Sequence, residues 1–237
     1  MCWSETATLS MIGIGAAATI ITARRGEPKA IWLTLGYFTV MEVLQAVGYT
    51  VVDDCGSSTN QSVTLLSYLH IALQPIFINA FVMAVMADAV TPRMRRWVYT
   101  LATLASLLML ARLAPFSWAG HCAPGDTLCG PSFCTVSGDW HIAWQMPLND
   151  IWGFLGEDVT KFFAFPSYGL AVFALPLAYG AWRFVLMHAV LGPGLASVLT
   201  SNSNETPTIW CLFSIGLLMI GISPFIRRQF APAPARA

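Results

Sequence analysis

The stretch 62-SVTLLSYLHIALQPIFINAFVMAVMA-87 runs for 26 residues without an Asp, Glu, Lys or Arg. Wound as an α-helix at about 1.5 Å per residue, it is long enough to cross the ~30 Å hydrocarbon core of a bilayer. A run of this length and composition reads as a membrane crossing, and it sets the solvent in which every other residue is judged.

The rest of the chain repeats the signal. Of 237 residues 56% are hydrophobic and only 10% charged, against roughly 25% charged in an ordinary soluble domain. Further apolar runs lie near 7–23, 30–52, 97–113, 162–180, 183–200 and 208–226. The expected fold is all-α: a polytopic bundle of seven transmembrane helices over residues 1–228, followed by a short Ala/Pro tail at 229–237. Only 179-YGAWR-183 separates the fifth and sixth runs, so a single bent hairpin is the alternative there. Residues 1–4 carry no basic stretch and Arg24-Arg25 closes the first run, so that run is expected to stay rather than be cleaved.

Basic residues in short loops stay on the cytoplasmic side. With the N-terminus outside, ten of the 12 basic residues fall inside: Arg24, Arg25, Lys29, Arg93, Arg95, Arg96, Arg183, Arg227, Arg228 and Arg236. Arg112 and Lys161 are the exceptions. Most acids sort outward, so a formal net charge of zero conceals a dipolar arrangement. Trp32, Trp97 and Trp182 border the inner ends, and Trp3, Trp118, Trp140, Trp144, Trp152 and Trp210 the outer ones, as indoles at the two interfaces would. Beyond the inner arginines there is no basic patch, phosphate loop or HExxH signature, and no nucleic-acid partner is expected.

The same orientation places all six cysteines, Cys2, Cys55, Cys122, Cys129, Cys134 and Cys211, at or near the outer face. Disulfides persist in that compartment, so bridges fastening the outer face are expected, with the pairing open among fifteen full arrangements. Zinc or copper capture by His121, Cys122, Cys129 and Cys134 is the competing reading, on a spacing that matches no standard zinc module. These residues belong to the one long connection, 114–161, expected to form a Cys/Trp-rich outer cap. Within it 139-DWHIAWQMPLNDIWGFLGE-157 places Trp140, Trp144, Ile151 and Leu155 toward one side of a helical wheel, which predicts an interfacial helix or pair of turns over the bundle's mouth.

Polar side chains inside a crossing are expensive unless they face protein or water. Glu42 is the only acid well inside a run, and His70 falls at a similar depth on the next one. Gln45 and Tyr49 lie near the Glu42 face, and Ser67 and Gln74 share the His70 face, at about 100° per residue. Pro75 cannot donate to the carbonyl of Ile71, which favours a bend. One outer-facing pocket lined by Glu42, Gln45, Tyr49, Ser67, His70 and Gln74, with His141 above it, would satisfy them together. Glu42, His70 and His141 would then be ligands for zinc or another divalent transition metal, or Glu42 and His70 would share a proton. The plain alternative is an interhelical hydrogen bond worth about 0.6 kcal/mol that only sets packing. His188 reads as a packing residue, and 192-GPG-194 as a bend in the sixth run.

The segments 2-CWSE-5, 69-LHIALQP-75, 138-GDWHIAW-144 and 209-IWCLFSIGLL-218 together resemble an uncharacterised family of bacterial seven-span membrane proteins, which carries no known activity. The resemblance implies residence in the plasma membrane, the inner membrane of a bacterium. Ser67 and His70 are remotely similar to the serine-and-histidine helix of the alkaline ceramidase and adiponectin-receptor superfamily, seven-span zinc amidases; the paired HxxxH of that group is missing. The leading expectation is a bilayer-embedded protein whose polar pocket binds a small molecule, lipid headgroup or metal ion. A metal-dependent lipid hydrolase, a proton-coupled transporter, and a non-catalytic subunit with a membrane-protein partner or a second copy are the rivals.

Overall fold

The computed structural model describes residues 5–155 and 165–231. Four helices open the chain: α1 (Glu5–Arg24), α2 (Lys29–Thr50), α3 (Ser58–Val85) and α4 (Pro92–Ala111). A two-stranded sheet follows, β1 (Cys134–Ser137) and β2 (Ile142–Gln145). Then come α5 (Pro166–Ala178), α6 (Trp182–Leu199), α7 (Thr206–Ile222) and the short α8 (Pro224–Phe230). The protein is mostly helical. Four of these helices, α1, α2, α3 and α6, are long and apolar enough to cross a membrane, and α7 with α8 makes a fifth if the bent pair counts as one.

Small residues bring α1 and α2 together. A Cβ on Gly15 would lie 2.3 Å from Thr39 Oγ1, and one on Gly36 would lie 3.3 Å from Thr19 Cγ2, so glycine faces threonine twice along the seam. Both hydroxyls bond back into their own helices, Thr19 to Gly15 O and Thr39 to Leu35 O, each at 2.8 Å. Close backbone approach of this kind supplies packing where lipid leaves no hydrophobic drive between helices.

Pro75 does not break α3, which stays helical for 28 residues. The bends fall later. Gly180, at φ +85°, closes α5 in the left-handed conformation that glycine alone adopts without cost. Within α6, Gly192 leaves helical geometry at φ −95°, ψ −105°, just before Pro193, as the GPG step predicts. The seventh run stops at Ile222, because Ser223 precedes Pro224 and cannot stay helical. Its remainder turns by 108° into α8, so the expected tail at 229–237 is helical as far as Phe230.

Residues 139–155 depart from the expected interfacial helix, and 156–157 lie outside the described residues. Cys134–Ser137 pairs antiparallel with Ile142–Gln145, from Cys134 opposite Gln145 to Ser137 opposite Ile142. The reason is tertiary, for β1 is fastened to the α2–α3 connection and the first turn of α3 by three devices. Cys55 is bridged to Cys134. Asn60, fully buried, donates to Val51 O and Thr135 O and accepts from Thr135 N. Asp53, at φ +65°, accepts from the Ser137 amide and hydroxyl at 2.8 and 2.6 Å. A strand so held presents an edge, and 142–145 completes it. Trp144, expected at an interface, is consequently buried.

Chemistry separates along the bundle. The hairpin end carries the bridges Cys55–Cys134 and Cys122–Cys129. Both consume cysteines of the suggested zinc or copper group, so that group does not form. Cys211 is a buried free thiol, and Cys2 lies outside the described residues. Arg112, an exception in the charge count, is buried at this end: its Nε donates to Asn149 O at 3.1 Å, and its guanidinium lies 4.9 Å from the centre of the Phe165 ring. Asn149 in turn donates to Ala111 O and Ala114 O, capping the end of α4. At the opposite end, Arg25 donates to Ile222 O, Arg183 to Gln229 O, and Arg227 pairs with Glu27.

Candidate functional site

One cavity holds about 680 Å³, within the range of sites that enclose drug-sized ligands. It runs from the middle of the bundle, at Phe38, Ile71 and Gln74, toward the hairpin end. Its walls are aromatic: Phe165, Tyr168, Phe173, Trp210 and Phe213. Toward the hairpin end the lining turns to hydroxyls, namely Thr127, Ser197, Thr200, Ser201, Ser203 and Thr206. No Asp, Glu, Lys or Arg lines it among the described residues.

Two hydrogen bonds hold the walls. Tyr168 donates to Gln74 Oε1 at 2.6 Å, joining α5 to α3. Trp210 donates from Nε1 to His188 Nε2 at 2.9 Å. His188 is fully buried and stacked on Phe213 at 4.0 Å, so it serves packing, as expected, by fixing the tilt of one cavity wall. The break in α6 makes room for that indole, since a Cβ on Gly192 would fall 2.4 Å from Trp210 Nε1. Asn79 ties the same helices lower down, donating to Ala171 O at 2.8 Å and accepting from Tyr179 at 3.0 Å.

Of the seven residues expected in one pocket, only Gln74 lines this cavity, and the others disperse. Ser67 returns its hydroxyl to Val63 O at 2.8 Å. His70 is held against α2: its ring stacks on Tyr37 at 3.8 Å, its Nε2 donates to Tyr37 O at 2.7 Å, and the Tyr37 hydroxyl donates to His70 O. Glu42 lies on another side of α2, at a small void shared with Gly15 of α1 and Ser214 of α7. Gln45 meets Cys211. Tyr49 and His141 do come together, 3.1 Å from hydroxyl to Nδ1.

The metal set Glu42, His70 and His141 is therefore not assembled. Each histidine has a nitrogen engaged by backbone, and no group of three His, Cys, Asp or Glu side chains suited to a metal occurs among the described residues. His141 Nδ1 accepts from the Ile142 amide at 2.6 Å, which leaves the ring proton on Nε2. Burial pushes this imidazole down to about 3, so it is neutral at physiological pH.

Sequence reasoning missed Glu205 and the aromatic walls. Glu205 is fully buried. Its carboxylate accepts from the amides of Asp139 at 3.2 Å, Trp140 at 2.6 Å and His141, and from the Thr200 hydroxyl at 2.6 Å. It thus gathers the hairpin turn and the cavity rim onto one anion. Nothing in 201-SNSNE-205 announces this, because three of the four donors are backbone amides more than 60 residues away. Tyr168 and Trp210 sit among many aromatics, and only the bends select them.

No curated protein and no solved structure matches the chain. The expected remote likeness to the ceramidase and adiponectin-receptor superfamily gains no support. The model of DUF5765, a family of unknown function, matches residues 6–231, and the chain belongs to that family.

Proposed function

We propose that this is a seven-crossing protein of the plasma membrane, hairpin end outward, whose cavity binds an uncharged amphiphile. Two independent features support the orientation: disulfides need an oxidising compartment, and arginines collect at the other end. On α4, Leu101, Leu104 and Leu107 are exposed between Trp97 at one end and the stacked Phe116 and Trp118 beyond the other. That is the pattern of a lipid-facing helix bracketed by interfacial indoles, and it favours counting α4 as a crossing despite the three arginines of its first turns.

The cavity is the observation that carries the reading. Acyl chains are as apolar as aromatic walls, so moving a tail from bilayer to cavity gains little. Selection must then come from shape and from the polar lining. That lining consists of hydroxyls and the Gln74 amide, with no counter-charge among the described residues. A charged headgroup would meet a desolvation cost of several kcal/mol without an ion partner, whereas an alcohol or ester finds hydrogen bonds.

The test uses the protein in nanodiscs and a brominated monoacylglycerol as quencher. Saturable quenching of tryptophan emission is expected, with the saturable part absent from Trp210→Phe. Equal quenching in both proteins, or stronger saturable quenching by brominated anionic phosphatidylglycerol, would refute the reading.

A further inference from the structure

Two buried polar atoms without partners meet at one place. Glu42 Oε2 and Ser214 Oγ are buried without a hydrogen-bond partner, on residues each only 4% exposed. Glu42 and Ser214 line a common void of about 10 Å³ between α1, α2 and α7. That volume is about one water's worth, and a buried water requires two or more polar partners. The carboxyl and the serine hydroxyl supply them. Thr39, also at the void, has its hydroxyl bonded to Leu35 O.

A bare carboxylate at the centre of a crossing is costly, and no basic group relieves it among the described residues. Among the described residues the titratable groups facing Glu42 are the Cys211 thiol of α7 and the Tyr49 phenol of its own helix. From α1 come Met11 and Gly15, neither titratable. His70 of α3 is held beneath Tyr37, about 140° around α2 from Glu42 at 100° per residue.

We propose that Glu42 is a proton-binding site in the bundle interior, its protonated carboxyl completed by one water shared with Ser214. Protonation removes the charge, and the acid can still exchange hydrogen bonds with one water, now as donor or acceptor. Phe38 lines both this void and the large cavity, so the proton site and the cavity share a wall. The inference stands independently of what the cavity binds.

Dicyclohexylcarbodiimide tests it, because the reagent enters apolar surroundings and adds the O–H of a protonated carboxyl across its C=N bond, with no leaving group. Peptide mass spectrometry on the purified protein near neutral pH is expected to find the adduct on Glu42. It should decline as pH is raised and be absent from Glu42→Gln. Glu205, equally buried but with its oxygens engaged by four donors, should stay unlabelled. A second measurement needs no variant: the infrared carbonyl band of a protonated carboxylic acid should be present in the wild type near neutral pH and vanish after labelling. Absence of both adduct and band would overturn the proposal. So would protection of Glu42 by sodium or lithium, which would make the void a cation's.

Discussion

Replacing Glu205 separates its role in the hairpin from that of an ordinary outer acid. Its two oxygens accept four hydrogen bonds, three from consecutive backbone amides and one from Thr200, with no solvent exposure. Hydrogen bonds to a charged group contribute about 1.5–3 kcal/mol each, and a buried donor left unmade costs about 1–3 kcal/mol. In Glu205→Gln one oxygen survives. The lost Oε2 served the longest of the amide bonds and a hydroxyl that can rotate, so the expected cost is about 1.5–3 kcal/mol. Glu205→Ala abandons all four donors, and the partial entry of water holds the cost to about 3–5 kcal/mol, the scale for breaking a buried charged network. At about 2–4 °C per kcal/mol for a chain of this size, Ala should lower the midpoint by ~6–20 °C and Gln by roughly half. Hydrogen exchange followed by mass spectrometry should show the amides of 139–141 losing protection in Ala, with the α1–α2 seam unchanged. If Ala unfolds within about 2 °C of the wild type and those amides stay protected, the carboxylate is not what holds the turn.

Three further outcomes follow from particular contacts. Gly192→Ala places a methyl 2.4 Å from Trp210 Nε1; overpacking plus the broken bond to His188 should cost about 2–5 kcal/mol, seen as a lower midpoint that Trp210→Phe partly restores. His141 is held near 3 against an ordinary value of 6.5, so between those values the unfolded chain binds the extra proton: the contribution is whole above about 6.5 and lost as pH falls toward 3. A thermal midpoint that drops across that window in the wild type and drops less in His141→Gln is the expected result. The two disulfides span 79 and 7 residues, for which chain entropy gives about 4.5 and about 2.4 kcal/mol. Removing Cys55–Cys134 should therefore destabilise about twice as much as removing Cys122–Cys129, measured by heating the paired serine variants.

Composition and the charge-free run at 62–87 were enough to establish apolar helices of membrane length, because in hydrocarbon a backbone must satisfy its own polar groups and helix length follows bilayer thickness. Arginine placement and the cysteines' preference for one end were readable for the same reason, since both depend on position along the chain alone. The bend at 192-GPG-194 was legible too, because proline and glycine act locally. What residues face was not. His70-Ile71-Ala72-Leu73-Gln74 and His141-Ile142-Ala143-Trp144-Gln145 are nearly the same sequence, yet the first is a turn of α3 and the second pairs with Cys134–Ser137 as a strand. Five residues carry too little intrinsic preference to decide; the bridge to Cys55, the Asn60 amide and the Glu205 carboxylate decide for them. Likewise sequence counts Glu42 and His70 to a similar depth, and the structure sets His70 level with Tyr37, five residues from Glu42 along α2. Whether they meet depends on helix rotation, which Gly15 and Tyr37 set through contacts with neighbouring helices.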